Sequence, residues 1–475
     1  MTARAVVIVG GGLAGITSAL SLRDAGHEVT LLEARPRLGG AASSFRRGAM
    51  TIDNGQHVFL RCCSSYAELL GRLGVAGSAP VQDRFDVTVL SPHGQARLRR
   101  TALPGPLHMA RALAGYRLLT PGQRLRVARA ALALRFADPA DPGLDEVPLG
   151  AWLAARGQDE RARRLLWDLF IVSALNISGD EASTALAATV IKMALLGARD
   201  AADIGVPGVP LGDLHAGPAA AALARQGTLV RLGARVTGLD RLPGGGFDVR
   251  LGAGDERLRA DGVVLAVPPD QAARLAAPAG AAGASGWAEL GWSPIVNVHV
   301  VYDRQVTGLP FAAAVDSPVQ WVFDKTRQSG IGPGQYLAVS LSAADEYVDV
   351  PVAALRERFL PALEQLFPAA AGARISDFFV TRERRATLRQ GPGTAALRPA
   401  AATGIHGLVL AGAWTQTGWP DTMEGAVRSG HNGAQELVRQ LAAGEQGRAA
   451  AARPEAGLAE RPLAAGEAEP SQVTS

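Results

Sequence analysis

Cysteine is scarce in this chain of 475 residues, whose two cysteines, Cys62 and Cys63, are neighbours in sequence. Adjacent cysteines rarely form an unstrained disulfide, and two thiols alone do not make a structural zinc site. The eight histidines show no metal-ligand spacing such as HExxH. We therefore predict a reduced, cytoplasmic protein that has neither a disulfide nor a metal site.

Long uninterrupted apolar runs are missing as well. No stretch offers about 18 uncharged apolar residues, so the sequence predicts no transmembrane helix. The N-terminus has one arginine followed by an apolar run, as signal peptides do, but three consecutive glycines interrupt this run. A strand followed by a turn and a helix explains this pattern better.

Acidic residues are absent between Val87 and Ala137, where arginines alternate with large apolar residues. A basic amphipathic helical segment can lie on an anionic membrane and gains about 1 kcal/mol for each arginine near the surface. This interpretation predicts peripheral contact with the inner face of the cell membrane. The alternative is a solvated arginine face on a helix. No nucleic-acid partner is expected, because no nucleic-acid-binding motif accompanies the charge.

Hydrophobic periodicity indicates an alternation of strands and helices. Strands are predicted at 5–9, 28–33, within 228–267, at 294–302, at 335–342 and at 407–411. A first helix is predicted from the turn at Gly10–Gly15 to about Ala25. Further helices are predicted through most of 105–200, over 353–367 and from Thr422 to about Ala442. The predicted parts are 1–85, 226–275 and 401–443 for a nucleotide-binding domain, 86–225 for a mainly helical part, 276–400 for a second sheet and 444–475 for a disordered tail.

Gly10, Gly12 and Gly15 form the pattern GxGxxG directly after the first predicted strand. The first glycine permits the tight turn, the second leaves room for a pyrophosphate, and the third lets the helix pack closely on the strand. The helix N-terminus offers free backbone N–H groups to phosphate. Glu33 ends the second strand, where a carboxylate can bind ribose hydroxyls. Together these features predict a dinucleotide-binding βαβ unit.

The stretch after Glu33, ARPRLGGAASSF, resembles the second glycine motif of the FAD-dependent amine oxidase and carotenoid desaturase superfamily. In that superfamily the arginine and the paired glycines pass close to the diphosphate and the flavin. These positions are Arg35, Arg37, Gly39 and Gly40 in this chain. The glycine pair directly after the ribose-binding acid therefore favours FAD over NAD.

Two later segments resemble the same superfamily, namely ADGVVLAVPP (260–269) and LVLAGAWTQTGWPDTMEGAVRSG (408–430). The resemblance implies an α/β fold in which a Rossmann-like FAD-binding domain is interleaved with a mixed-sheet and helical substrate domain. It further implies cofactor contacts at Leu13, Ala14, Ala34, Ala41, Val236, Gly412, Trp419, Thr422 and Met423. Ala413 replaces the acid that many members carry after this glycine, which removes one expected ribityl or phosphate contact.

Three phrases narrow the resemblance, namely MTIDNGQHVFLRCCSSYAELLGRLGV (50–75), SPIVNVHVVYD (293–303) and TGWPDTMEGAVRSG. Together they resemble the hydroxysqualene dehydroxylase family, the squalene-associated FAD-dependent desaturase-like proteins of bacterial hopanoid pathways. The resemblance extends from the first strand to about residue 440. It implies reductive dehydroxylation of hydroxysqualene, an allylic C30 isoprenoid alcohol, to squalene. The hydride would come from reduced flavin, and an unidentified electron donor would reduce the FAD.

Hydroxide is a poor leaving group, so such a reaction needs a proton donor and a water-poor cavity. The superfamily's loop at this point places Asp53, Gln56 and His57 near the flavin. His57 is the predicted proton donor, with a contact to the backbone or to the cofactor as the alternative. Gln56 is expected to bind the substrate hydroxyl or the flavin, and Asp53 either acts in catalysis or holds the loop. The apolar segment 165–176 is expected to line a tunnel or to pack in the core.

Other functions remain open for the same motifs. An oxidative carotenoid-type desaturase would share the fold and every glycine motif, and would differ in the direction of electron flow. An amine oxidase would need an aromatic cage for the amine, which no sequence feature singles out. A prenyl-binding escort protein need not retain flavin, and the intact glycine motifs argue against it.

Overall fold

The computed structural model describes residues 2–252, 254 and 256–451. Its strands are β1 (Ala5–Val9), β2 (Glu28–Glu33), β3 (Ser44–Arg47), β4 (Met50–Asp53), β5 (Phe59–Leu60), β6 (Asp86–Ser91), β7 (Gly94–Arg99), β8 (Ile204–Gly205), β9 (Leu229–Leu232), β10 (Val236–Arg241), β11 (Phe247–Leu251), β12 (Arg257–Ala260), β13 (Gly262–Leu265), β14 (Trp292–Tyr302), β15 (Phe311–Ala314), β16 (Trp321–Asp324), β17 (Gln335–Leu341), β18 (Ile375–Leu388) and β19 (Leu408–Leu410).

The α-helices are α1 (Leu13–Asp24), α2 (Ser64–Leu73), α3 (Ala110–Ala114), α4 (Pro121–Phe136), α5 (Pro142–Asp145), α6 (Leu149–Ala154), α7 (Glu160–Ala162), α8 (Asp168–Leu175), α9 (Thr184–Ile191), α10 (Leu211–Arg225), α11 (Pro269–Ala276), α12 (Ala284–Trp287), α13 (Thr326–Ser329), α14 (Val352–Leu366), α15 (Thr394–Leu397) and α16 (Met423–Ala451). Two π-helical turns, Arg163–Trp167 and Lys192–Leu196, interrupt the helical layer.

A parallel five-stranded sheet in the order β19-β13-β1-β2-β9 forms the first unit. Its central strands are apolar runs such as AVVIV because both faces are covered. Helices α1 and α16 pack on one face, and the antiparallel sheet β10-β11-β12 packs on the other. The chain thus leaves this sheet after β2 and returns to it three times, at β9, β13 and β19, and the parallel sheet confirms the predicted α/β fold class with its Rossmann-like unit.

The second unit is a seven-stranded mixed sheet in the order β18-β14-β17-β16-β15-β6-β7. Helix α14 covers one face, where it packs on alternate residues of β14. The opposite face is shared by the helical layer α3–α9 and the hairpin β3–β4. Helices α3–α9 therefore cover one part of this face, and the hairpin that follows the nucleotide-binding motifs covers the other part.

Several predicted elements differ from the observed ones. The basic stretch 87–137 was expected to be helical, but it begins in the hairpin β6–β7, which forms the edge of the second sheet. Helix α10 lies inside the predicted helical part 86–225 yet packs in the core with α1. The second sheet therefore takes strands from 86–99 as well as from the predicted stretch 276–400, and the domain boundaries remain predictions.

The last helix extends to Ala451, beyond its predicted end near Ala442. The remainder of the predicted disordered tail, 452–475, lies outside the described residues. Among the helices that the structure describes, none is both long enough and apolar enough to cross a bilayer. The segment 165–176, predicted to line a tunnel or to fill the core, contributes most of its large apolar side chains to the helical core.

Candidate active site

The first glycine motif joins β1 to α1, and its outer glycines are required by packing. Gly10 has a φ of +110°, and a Cβ there would collide with Ala266 O. A Cβ at Gly15 would collide with Gly10 O, where the helix crosses the strand. Both glycines therefore have the roles that the sequence predicted, a tight turn and a close helix–strand contact.

Gly12 differs from its two neighbours in the motif. It is the N-cap of α1 in extended conformation, without a side-chain cap, and an added Cβ would meet only Gly40 Cα at 3.9 Å. Packing of the protein itself thus does not require glycine here. The space above Gly12 lies at the N-terminus of a helix, where a diphosphate fits and a side chain would obstruct it.

The second glycine motif lies directly against the first. Gly39 N donates to Gly11 O at 2.9 Å, and a Cβ at Gly40 would lie 3.0 Å from Gly12 Cα. The Arg35 guanidinium donates to Gly40 O at 3.3 Å and thereby braces this turn. The two motifs together enclose a cradle of glycine backbone, which fits the diphosphate of FAD.

Glu33 is fixed at the end of β2 and is 8% exposed. Its Oε2 accepts from Gly11 N and its Oε1 from Arg35 N, each at 2.7 Å. Each carboxylate oxygen keeps a second lone pair, so the group can still accept a bond from a ribose hydroxyl. Val236, at the start of β10, is buried beside this edge of the sheet.

The C-terminal motif brings a third strand end to the same edge. Gly412 follows β19 and donates its N–H to Ser429 Oγ at 2.8 Å, while Met423 opens α16. The buried Arg398 holds the intervening loop by donating to Trp419 O at 2.7 Å and to Thr415 O at 3.1 Å. The glycines of the three motifs thus lie at the carboxyl ends of β1, β2 and β19, where doubly wound sheets bind nucleotides, whereas Val236 lies at the start of β10.

The tryptophans of this motif have different surroundings. Trp414 donates to Val267 O at 3.0 Å and packs on Trp287, with ring centroids 5.7 Å apart, inside the core of the first unit. Trp419 lies under the Arg428 guanidinium, 4.6 Å from the ring centroid. Glu424, buried in the first turn of α16, pairs with Arg428 at 2.7 Å and accepts from Tyr66 N at 2.8 Å, so it also caps α2.

Asp53 ends β4 and is held on all sides. Its Oδ1 accepts from Ser44 Oγ at 2.7 Å and from Leu211 N, at the start of α10, at 2.9 Å. Its Oδ2 lies 2.9 Å from Lys325 Nζ, and both side chains are more than nine-tenths buried. These contacts favour the interpretation of Asp53 as the residue that holds the loop. Sequence reasoning missed Lys325, although it is one of only two lysines.

His57 and Gln56 follow Asp53 on the same loop. His57 Nδ1 lies 3.1 Å from Gly55 O, so the Nδ1–H donates to this carbonyl and Nε2 is left as the acceptor of the neutral ring. Burial lowers the pKa of His57 below its ordinary 6.5. Gln56 Nε2 is buried and has no hydrogen-bond partner among the residues that the structure describes.

Two further histidines surround this loop, and sequence reasoning did not single them out. Tyr66 donates to His215 Nε2 at 2.8 Å, and burial lowers the pKa of His215 to about 4. His299 lies 2.7 Å from Tyr336 OH and stacks on Phe379 at 4.4 Å, and burial lowers its pKa to about 3. Both rings are therefore neutral at pH 7 and act as fixed hydrogen-bonding groups.

The arginines of the acid-free stretch separate into two groups. Arg97 and Arg99 pair with Asp86, and Arg100 pairs with the buried Asp203, so these three are neutralised by acids. Arg126 pairs with Asp159. The four exposed arginines of the stretch that have no ion-pair partner among the described residues are Arg111, Arg117, Arg129 and Arg135. Large apolar side chains are exposed beside them, namely Leu103, Leu107, Leu125, Leu132, Phe136 and Met193. We call these ten residues the cationic apolar face.

Contacts between elements hold the cationic apolar face together. Helix α3 and the π-helical turn Lys192–Leu196 both pack on α4. Arg135 donates to Leu196 O at 2.5 Å, and Lys192 Nζ donates to Ala137 O at 2.6 Å. Met193 and Cys62 line the same cavity of about 260 Å³ behind this turn. The face thus adjoins a cavity whose other wall includes Arg61 and Cys62, just before α2.

Comparisons with known proteins agree with this geometry. The family described as "Flavin containing amine oxidoreductase" matches residues 13–438. Hydroxysqualene dehydroxylases of Sinorhizobium fredii and Rhodopseudomonas palustris are both 31% identical to this chain; they match 90% and 93% of it, and 97% and 99% of their own lengths. Zeta-carotene desaturase of Arabidopsis thaliana is 25% identical over 90% of the chain and 83% of its own length.

A solved structure supports the fold alone. An oxidoreductase from Methanosarcina mazei superimposes with a TM-score of 0.70 at 18% identity, over 92% of this chain and all of the other. At this identity the likeness concerns the architecture of two interleaved units rather than the reaction.

Proposed function

The chain is an FAD-dependent oxidoreductase that belongs to the flavin-containing amine oxidoreductase family together with the hydroxysqualene dehydroxylases it resembles, and we propose that it reduces hydroxysqualene to squalene. The observation that carries the proposal is the 31% identity to hydroxysqualene dehydroxylases over nearly the whole of both chains. The same relatives support an isoprenoid substrate.

The proposed reaction breaks the allylic C–O bond and forms a C–H bond. One proton and one hydride are consumed, and water leaves. Bound FAD, reduced by an electron donor yet to be identified, supplies the hydride. The chain's own residues must hold the alcohol, supply or relay the proton and keep water away from the electron-poor carbon. His299 and His215 are neutral, and both ring nitrogens of each are bonded to protein groups, so they add no charge beside the loop of Asp53.

The test of this proposal uses photoreduced holoenzyme under anaerobic conditions. Mixed with hydroxysqualene in detergent, it is expected to form squalene while the flavin is reoxidised, with mass spectrometry and flavin absorbance as the two measurements. Unchanged alcohol and a stably reduced flavin would contradict the proposal. The runner-up, an oxidative carotenoid-type desaturase, is favoured by the resemblance to zeta-carotene desaturase and would instead act on polyprenes with oxidised flavin.

His57 is the proposed proton donor, and the pH dependence tests this role. Because burial lowers its pKa, His57 is mostly neutral at pH 7, so the protonated form increases only as the pH falls through a value below 6.5. The rate of flavin reoxidation by the alcohol is expected to rise as the pH falls across this range. His57→Ala is expected to lose about 10²–10⁴-fold in rate and to lose this pH dependence. The exposed His406→Ala serves as control.

We further propose that the cationic apolar face docks on an anionic membrane, from which the apolar substrate enters. Phe136, which is 79% exposed, and Leu132 lie on the outer side of α4, opposite its buried residues Val127, Ala130 and Leu134. Unpaired arginines around an exposed apolar patch match the chemistry of anionic lipid. We propose the adjoining cavity at Met193 as the point where the substrate enters from that surface.

Sedimentation with vesicles tests this docking. Wild type is expected to bind phosphatidylserine vesicles more tightly than phosphatidylcholine vesicles, with binding that weakens as salt is added. The variant Leu132→Ser/Phe136→Ser is expected to lose at least about 10-fold in affinity, because two apolar side chains no longer enter the lipid. Val352→Ser, which changes an exposed apolar residue on α14, is the control and should bind like wild type. Equal binding by all three proteins would contradict the docking.

A further inference from the structure

Asn297 is a buried amide without a partner in the middle of an apolar strand. Its side chain is 1% exposed, and neither Oδ1 nor Nδ2 has a hydrogen bond to any residue that the structure describes. Burying an unbonded amide costs folding free energy, and buried polar groups in native proteins are nearly always bonded. Valine or leucine would suit this position in β14 better, so the amide indicates a ligand.

The side chain of Asn297 belongs to the face of the second sheet that the hairpin β3–β4 covers. Val296, Val298 and Val300 pack under α14, so their neighbours along the strand point to the opposite face. On that opposite face Val301 packs with Ile52 of β4. Asn297 therefore faces the side of the nucleotide-binding unit.

The loop after β4 lies over this part of the sheet. Thr381 of β18 is directly opposite Asn297, and Glu383 follows on the same face. Asn54 Nδ2 lies 3.5 Å from Glu383 Oε2 and also donates to Ala41 O at 3.2 Å. Ala41 directly follows the second glycine motif. The side chain of Asn297 therefore lies on the face of the second sheet that this loop connects to the candidate flavin site.

We propose that Asn297 Nδ2 binds the hydroxyl oxygen of the allylic alcohol. This inference rests on the proposed function. A neutral amide can donate to the alcohol oxygen and hold the C–O bond in place without stabilising a charge on the enzyme. The hydrocarbon product has no oxygen and cannot make this bond, so the same contact that favours the alcohol also favours release of the product.

The test compares Asn297→Val with wild type as holoenzymes. The first measurement is the affinity of the oxidised holoenzyme for hydroxysqualene relative to squalene, which needs no turnover. Wild type is expected to prefer the alcohol, and Asn297→Val is expected to lose about 10-fold or more of that preference. The second measurement is flavin reoxidation by the alcohol, expected to slow by a similar factor. FAD content and reduction potential should stay as in wild type.

The thermal melt gives an independent measurement. Without substrate, Asn297→Val is expected to melt at or above the temperature of wild type, because an unbonded buried amide is removed. Ser340→Ala, directly opposite Asn297 in β17, is the matched control and should keep the preference for the alcohol.

An unchanged preference of Asn297→Val for the alcohol would overturn the inference. If the flavin potential shifted at the same time, Asn297 would be assigned to the flavin instead. A wild-type enzyme that binds the alcohol through Asn297 but forms no squalene would instead contradict the proposed reaction, so the two failures are distinguishable.

Discussion

A Gly12→Val variant is expected to fold and to purify almost free of flavin. Gly12 has ordinary extended dihedral angles, and its missing Cβ points into open space beside Gly40. The fold thus tolerates a side chain there, whereas a diphosphate on the N-terminus of α1 does not. We expect FAD affinity to fall by about 100-fold or more, which flavin absorbance and titration of the apoprotein with FAD measure.

Two other glycine variants serve as controls for the effect of Gly12→Val on FAD binding. Gly15→Ala introduces a Cβ that collides with Gly10 O, so it is expected to lower the melting temperature as well as flavin content. Gly71→Ala, on α2 with nothing near its Cβ, is expected to bind FAD like wild type. If Gly12→Val retained a full complement of FAD, the diphosphate would have to lie elsewhere than over α1.

Asp53→Ala is expected to destabilise the protein by about 3–5 kcal/mol, because it leaves the buried ammonium of Lys325 without its carboxylate. It also removes the acceptor of Leu211 N at the start of α10 and of Ser44 Oγ. Urea denaturation followed by circular dichroism measures the effect. This ion pair joins the hairpin β3–β4, which follows the nucleotide-binding motifs, to the segment between β16 and β17 of the second unit.

The double variant Asp53→Ala/Lys325→Met separates charge from packing. If the uncompensated ammonium causes most of the loss, the double variant is expected to recover about 1–3 kcal/mol relative to Asp53→Ala. Lys325→Met alone leaves Asp53 with two donors and is expected to cost less than Asp53→Ala. A double variant no more stable than Asp53→Ala would contradict a dominant role for the ion pair.

The nucleotide-binding motif could be predicted from the sequence because its glycines act on residues close to them along the chain. The roles of Gly10 and Gly15 depend on a turn and on a strand–helix contact within a few residues, which the spacing itself encodes. The fold class follows from the same motif and from the later strands at 262–265 and 408–410. Where prediction was wrong, as in the hairpin β6–β7, the arginines resembled a helical pattern but are paired with Asp86 and Asp203.

The amino-acid sequence by itself thus determined the cofactor class and the α/β fold class, because glycine spacing and apolar periodicity act over short distances along the chain. Only the tertiary structure decided which side chains lie together around the loop after β4. Lys325 meets Asp53, and Asn54 meets Glu383 on the strand beside Asn297, across hundreds of residues of sequence. Such meetings depend on strand register and on the packing of one sheet against a hairpin, and no local pattern encodes either of them.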